Sequence, residues 1–262
     1  MGEPRAQSAL LAELLPRVAA DPRVRGVAVG GSLAAGTADE HSDIDLVVVI
    51  EDEDYPQVMA EKRELVAAWA PVLVSFTGEH VGEPRLIIAL TAPPLLHVDL
   101  TFMRLGDVAG HFAGLRVAWD RTGAVAEALD GRAHPDDHPA FDAQWVEDRF
   151  WVWIHYAATK LARGELYEVL DMLAFLRSTV LGPLAALRAG LEPRGVRRLE
   201  RAVPEAAAAL EATVARYDAR ESGKALVAAV ELYRLWMRAE AVERRIAAEE
   251  AAVAFLEQTL SR

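Results

Sequence analysis

A glycine-rich turn early in the chain has residue types that suit phosphate binding. Gly30, Gly31 and Ser32 directly follow a short apolar run at residues 24–29. A strand that stops at glycines and continues as a short helix leaves backbone N–H groups at the helix start, and glycine lets a ligand approach the backbone closely. Gly31 and the Ser32 hydroxyl are therefore predicted to bind phosphate oxygens.

Two aspartates follow at a spacing that suits a hard metal ion. Asp43 and Asp45 flank Ile44 at the start of a second apolar run, residues 44–50, so in a strand both side chains lie on one face. Carboxylates a few Å apart raise each other's pKa unless a cation lies between them, and Mg²⁺ binds through carboxylates together with substrate phosphates. The pair predicts a Mg²⁺ site, and phosphates beside a metal are the elements of phosphoryl or nucleotidyl transfer.

A third carboxylate is predicted on a later strand. Residues 97–102 alternate polar and apolar side chains, and Asp99 falls on the polar face. If this strand lies beside the strand of Asp43 and Asp45, Asp99 completes a three-carboxylate site. Two roles stay open for Asp99: a metal ligand, or the general base that takes a proton from the attacking hydroxyl.

Together these residues resemble the signature of a known enzyme superfamily. Gly-Gly-Ser at residues 30–32, ten further residues, Asp43-Ile44-Asp45 leading into an aliphatic strand, and the later Asp99 are similar to the pattern of the nucleotidyltransferases, which have a polymerase β-like fold. The resemblance implies an enzyme that uses a nucleoside triphosphate and Mg²⁺. The purely structural alternative is a turn with a glycine pair and two capping aspartates.

The elements that position these residues follow from the spacing of apolar side chains. Helical periods at residues 10–18 and 61–69 predict two helices, and alternating or continuous apolar runs predict further strands. These strands are expected at residues 72–76, 85–90, 95–102 and 116–119. The first half of the chain is therefore predicted to be an α/β domain with a mixed sheet, residues 1–130.

Beyond a polar, proline-broken linker at residues 130–139, the apolar period is helical almost throughout. This predicts an all-α helical bundle of about five helices, residues 140–262. Its helices are expected to break near residues 190–193, 203–204 and 222–223.

An α/β half followed by a helical bundle is similar to the layout of the aminoglycoside and lincosamide nucleotidyltransferases. This resemblance implies transfer of AMP from ATP to a hydroxyl of a small acceptor, release of pyrophosphate and a role in antibiotic resistance. It also implies that the helix at residues 150–166 lies against the nucleotide, with Lys160 contacting the triphosphate. The alternative for Lys160 is an ordinary solvated lysine, although only Lys62 and Lys224 are further lysines in this chain.

Composition restricts the partners. The chain has 262 residues, a formal net charge of -12 and no cysteine. Nucleic-acid binding needs an excess of basic residues, and thiolate zinc sites and disulfides need cysteine, so none of these is expected. The chain has no long uncharged apolar run and no secretion-type N-terminus, so we expect a cytoplasmic protein with no membrane partner.

The acidic balance bears on the acceptor as well. A negative surface attracts a small cationic acceptor such as an aminoglycoside, and Glu165, Glu168 and Asp171 form an acidic edge near Lys160 that would bind its ammonium groups. A solvated helix face is the simpler interpretation of this edge. Two other functions stay open: adenylylation of a protein side chain, as in toxin–antitoxin relatives of the fold, and nucleotide binding without catalysis. The sequence leaves the acceptor, the preferred nucleotide and the oligomeric state undetermined.

Overall fold

The computed structural model describes residues 5–108, 114–130 and 141–261. The chain divides into two compact units, Met1–Asp137 and His138–Arg262. The segment in which the sequence predicts a linker lies, apart from Asp130, outside the described residues. The predicted fold class is confirmed, because a mixed six-stranded sheet with helices is followed by a helical region.

The first unit contains the sheet and the helices that cover it. Its strands are β1 Val24–Val29, β2 Ile44–Ile50, β3 Val72–Gly78, β4 Glu83–Thr91, β5 Leu96–Arg104 and β6 Arg116–Asp120. Its helices are α1 Arg5–Ala20, α2 Gly31–Ala34, α3 Tyr55–Trp69, α4 Leu105–Val108 and α5 Ala124–Leu129. α3 begins at Tyr55 rather than at residue 61, because Pro56 lies in its first turn, where the missing N–H of proline costs nothing.

The strand order is β3-β4-β5-β2-β1-β6, and β2 and β5 form the parallel pair in an otherwise antiparallel sheet. One face of the sheet packs against α1 and α3 through a continuous apolar core. On the opposite face, α4 and α5 cover the apolar side chains Val47, Val49 and Met103. Asp45 and Asp99 lie on that opposite face, ahead of the residues that α4 and α5 cover.

The second unit is a helical bundle. Its helices are α6 Ala143–Ala162, α7 Leu166–Leu176, α8 Gly182–Arg188, α9 Leu199–Ala202, α10 Pro204–Leu210, α11 Ala219–Trp236 and α12 Ile246–Leu260, and a π-helical turn, Arg177–Leu181, joins α7 to α8. Leu166–Arg188 is, among the described residues, apolar and long enough to cross a membrane, but just over half of it is buried inside the protein. Core helices of bundles have the same length and composition, so the stretch alone does not indicate a membrane.

The predicted helix break at residues 222–223 is wrong, whereas those near 190–193 and 203–204 coincide with helix ends. Gly223 lies inside α11, where a Cβ atom would overlap the Cδ2 atom of Leu260 and lie 3.4 Å from that of Leu161. The glycine therefore lets α12 approach α11 closely and does not end a helix. α11 begins instead after Asp218, whose side chain accepts a hydrogen bond from the Glu221 backbone N–H.

A buried carboxylate connects three parts of the bundle. Glu147 on α6 is fully buried, and its Oε2 atom accepts a hydrogen bond from the Tyr233 hydroxyl at 2.6 Å. Its Oε1 atom accepts from Trp151 Nε1 at 3.1 Å and from the Arg245 backbone N–H at 2.9 Å. Burial, followed by the contact with Glu147, raises the pKa of Tyr233, so the phenol stays a donor.

Candidate active site

Asp45 and Asp99 lie side by side near the start of the two central strands, on the sheet face that α4 and α5 cover only in part. Asp45 is the direct partner of Asp99 in the parallel β2–β5 pair, so both side chains lie on the same face of neighbouring strands, which run about 4.8 Å apart in such a pair. Asp43 directly precedes β2, and its negative charge adds a small contribution to the raised pKa of Asp99. The sequence left the pairing of these strands conditional, and the structure supplies it.

Asp99 has a hydrogen-bonding partner that sequence reasoning missed. His97 Nε2 lies 2.7 Å from Asp99 Oδ1, and the His97 ring is about half exposed. Burial, with a smaller contribution from Asp43, raises the pKa of Asp99 above its ordinary value, while His97 acts in the opposite direction. The signal was present in the sequence, because His97 is two residues before Asp99 and a strand places both on one face.

The glycine turn is built directly against Asp45. The Gly30 backbone N–H donates a hydrogen bond to the Asp45 carbonyl oxygen at 2.9 Å, which fixes the end of β1 beside β2. Gly31 has a left-handed φ of 56°, and a Cβ atom there would overlap Asp45 Oδ2. Gly31 therefore provides both the backbone conformation and the space that the Asp45 carboxylate occupies.

The hydroxyl of Ser32 is a polar group in this turn that makes no hydrogen bond. Its Oγ atom is buried and has no hydrogen-bond partner. A buried hydroxyl without a partner costs about 1–3 kcal/mol, so a site that holds one is suited to a ligand that supplies the missing hydrogen bond. α2 is only four residues long, and the N–H groups of a first helical turn have no partner within the helix.

The oxygen atoms at this end of β2 and β5 fit a hard divalent cation, because they belong to carboxylates that lie beside the glycine turn predicted to bind phosphate. Within the part of the chain that the structure describes, however, no three acidic or histidine side chains converge closely enough to hold a metal ion. The Asp99 carboxylate is turned to His97, and that of Asp45 rests against Gly31. The Mg²⁺ site at Asp43, Asp45 and Asp99 therefore stays a prediction.

Lys160 and the predicted acidic edge lie in the second unit and contact one another. Lys160 Nζ donates to Glu165 Oε2 at 2.6 Å, lies 4.0 Å from Glu168 Oε2 and stands 5.2 Å from the centre of the Tyr156 ring. The hydrogen bond to Glu165 raises the pKa of Lys160, and Glu168 Oε2 accepts from the Tyr156 hydroxyl at 2.7 Å. Asp171 is exposed on α7. The roles of Lys160 in triphosphate binding and of the acidic edge in acceptor binding stay predictions.

The family match falls on the part of the chain that contains the glycine turn. Residues 11–81 match the family described as nucleotidyltransferase domain, a range that includes Gly31, Ser32, Asp43 and Asp45 and ends before Asp99. The first unit thus carries a nucleotidyltransferase domain. No curated protein sequence matches the chain.

Three solved structures align with the chain along most of its length at low identity. They are an aminoglycoside 6-adenyltransferase from Bacillus subtilis (15% identity, 98% of this chain and 100% of that one, TM-score 0.41), a nucleotidyltransferase-like protein from Exiguobacterium sibiricum 255-15 (13%, 100% and 81%, TM-score 0.36) and the CdnC:HORMA-deltaN complex of E. coli MS115-1 (17%, 87% and 87%, TM-score 0.28). At these TM-scores the alignments carry no argument about substrate or acceptor.

Proposed function

We propose that the chain transfers a nucleoside monophosphate, AMP from ATP in the simplest case, to a hydroxyl of a small acceptor and releases pyrophosphate. The observation that carries this proposal is the in-register pair Asp45–Asp99 beside the turn of Gly31 and the buried, unpartnered hydroxyl of Ser32. Nucleotidyl transfer is mainly a matter of positioning and charge stabilisation, and such a site provides groups for both phosphates and a cation.

Each residue has a defined part in this proposal. The turn at Gly31 and the Ser32 hydroxyl hold triphosphate oxygens. Asp43 and Asp45, with Asp99 as a third candidate ligand, would hold Mg²⁺, which supplies positive charge to the phosphates when it is bound. Lys160 adds positive charge for the triphosphate if the nucleotide reaches α6.

The alternative role that we propose for Asp99, in place of metal binding, is that of the general base. The acceptor O–H bond breaks as its proton moves to the Asp99 carboxylate, the acceptor oxygen bonds to the α-phosphorus, and pyrophosphate leaves with the electrons of the broken P–O bond. Because His97 holds Oδ1, Oδ2 is the oxygen that takes the proton. A raised pKa brings a carboxylate closer to the operating pH, which improves it as a base.

The charge of the chain supports a cationic acceptor, and an aminoglycoside is the antibiotic that fits this description best. Against this, the Glu165 and Glu168 carboxylates already have Lys160 and the Tyr156 hydroxyl as partners. A cationic acceptor would have to compete with these contacts.

The experiment that tests the proposal is a pyrophosphate-release screen with each of four nucleoside triphosphates and a panel of hydroxyl acceptors, including aminoglycosides, lincosamides and alkyl glycosides. We expect release that requires Mg²⁺ and one acceptor class, together with an acceptor product heavier by one nucleotidyl group. Asp45→Asn serves as the inactive control. Release that is equally fast in Asp45→Asn would contradict the proposal, and a mass gain on a co-incubated protein instead would favour protein adenylylation.

A further inference from the structure

An apolar surface continues from the candidate base toward the edge of the sheet. In the antiparallel β5–β4 pair, Asp99 is aligned with Ile88, and His97 is aligned with Leu90. Directly aligned residues of neighbouring strands lie on the same face, so Ile88 and Leu90 are on the face that carries Asp99. Ala89, which lies between Ile88 and Leu90, faces the core beneath α1 and α3, so its two neighbours in the strand face the opposite side.

The same face continues onto the edge strand. In the β4–β3 pair, Ile88 is aligned with Phe76, and Leu90 is aligned with Val74. We call these four side chains the apolar strip. Val74 is 56% exposed, Phe76 47% and Leu90 38%. Single exposed apolar residues are ordinary, whereas neighbouring ones on adjacent strands form a contiguous patch and so a candidate binding surface.

The strand order places the strip on the acceptor side of the reaction centre. Across the sheet, the turn that follows β1 comes first, then Asp45 on β2, Asp99 on β5, and finally β4 and β3 with the strip. In nucleotidyl transfer the attacking and leaving oxygens are roughly in line. If pyrophosphate leaves at Gly31 and Ser32, the acceptor hydroxyl approaches from the opposite side, over β4 and β3.

We propose that the acceptor carries an apolar ring or alkyl face next to its reacting hydroxyl, and that this face packs on the apolar strip. This inference rests on the proposed function and specifies its acceptor class. The strip itself contributes hydrocarbon and no acidic group, so it binds a sugar or polyol with an apolar substituent better than it binds a polycation.

The kinetic test uses substitutions in the strip with a matched control. With the acceptor found in the pyrophosphate-release screen, Phe76→Ser should raise the acceptor KM about tenfold and Val74→Ser about fivefold, since each removes apolar surface that the acceptor covers. The kcat and the KM for the nucleotide should stay near wild type, because this binding is the same in ground and transition states. Leu235→Ser, which removes a 46% exposed leucine on α11, should leave all three unchanged.

A binding test does not depend on turnover. With methyl-labelled protein, a series from methyl to octyl glucoside, below the micelle concentration, should shift the methyl signals of Val74, Ile88 and Leu90. The affinity should rise about twofold for each added methylene on a half-exposed surface. The same shifts should occur in Asp43→Asn, since no reaction is involved, and should be lost in Phe76→Ser.

The outcomes separate this inference from the proposed function. If the strip methyls do not respond to alkyl glucosides, or respond more strongly to a polycationic aminoglycoside, the inference is wrong. It is also wrong if an acceptor is turned over with the same KM in wild type and Phe76→Ser, and nucleotidyl transfer would then still stand. If the strip binds alkyl glucosides but pyrophosphate is released with no acceptor in the panel, the proposed function fails and the apolar binding surface remains.

Discussion

Replacing Gly31 with alanine tests whether the Asp45 carboxylate must lie where the structure has it. Gly31 has a φ of 56°, a conformation that costs an alanine about 1–2 kcal/mol. Gly36 provides the matched control, because its φ is 66° and a Cβ atom there would have nothing within 4 Å. Both substitutions therefore introduce the same backbone strain, and only one of them affects Asp45.

The displacement follows from the geometry of the turn. A Cβ atom on Gly31 would overlap Asp45 Oδ2 and lie 3.1 Å from Asp45 Cγ, whereas an ordinary contact begins at 3.4 Å. We expect the carboxylate to rotate away from the added Cβ atom by on the order of 1 Å, and a displacement of this size lowers turnover about a hundredfold in a preorganised site.

Three measurements separate the two effects: thermal unfolding, pyrophosphate release and the affinity for Mg²⁺·ATP by calorimetry. Gly31→Ala and Gly36→Ala should lower the melting temperature by similar amounts, about 2–4 °C for each kcal/mol in a chain of this size. Only Gly31→Ala should lower kcat/KM, by about a hundredfold relative to Gly36→Ala.

The result that would refute this reasoning is a Gly31→Ala variant that stays within about threefold of Gly36→Ala in kcat/KM and in Mg²⁺·ATP affinity. Asp45 would then not be needed at its position against the turn. A melting temperature that falls much further in Gly31→Ala than in Gly36→Ala would instead show that Asp45 cannot rotate away and that the clash destabilises the fold.

Further predictions concern the site, the bundle and the acceptor. Asp43→Asn should lower turnover by several orders of magnitude and leave the circular dichroism spectrum unchanged, because it removes a predicted metal ligand but no packing contact. A variant that keeps more than about a tenth of the wild-type rate would contradict this. Because burial raises the pKa of Asp99, its ionised form destabilises the folded state, so Asp99→Asn should melt higher than wild type near neutral pH. This advantage should fade as the pH falls through the raised pKa and be gone below the ordinary aspartate pKa; an equal advantage at every pH would argue against burial as the cause. Glu147→Ala leaves the Tyr233 hydroxyl, the Trp151 ring N–H and the Arg245 backbone N–H without their acceptor and should lower the free energy of unfolding by about 3–5 kcal/mol, with a smaller loss for Glu147→Gln, as measured by urea unfolding. If the acceptor is cationic, its KM should rise steeply with salt and with Glu168→Lys, whereas the KM of an acceptor held by the apolar strip should respond to neither.

Local sequence was sufficient for the residues of the turn and the first two strands. The spacing of Gly31, Ser32, Asp43 and Asp45 depends on neighbours only a few positions apart, and β1 and β2 begin and end at the predicted residues. Alternation within a strand also placed Asp99 on the polar face, because the side-chain period of a strand is fixed by backbone geometry.

The tertiary structure decided which residues each of these side chains lies beside. No local period specifies which strand lies beside β2, so only the folded sheet aligns Asp45 with Asp99. The helix break predicted at Gly223 is wrong for a similar reason: glycine weakens a helix in isolation, but here the packing of Leu260 against the glycine outweighs that preference and α11 continues through it.

The apolar strip also separates what the sequence determines from what the tertiary structure decides. Its residues, such as Phe76 and Leu90, have the side chains of buried strands, and the sequence predicted strands there correctly. Whether a strand face is covered depends on how many helices the rest of the chain places over it. α1 and α3 cover one face, α4 and α5 cover part of the other, and Phe76 and Leu90 are left exposed beyond Asp99 because burial is a property of the assembled layers and not of any one segment.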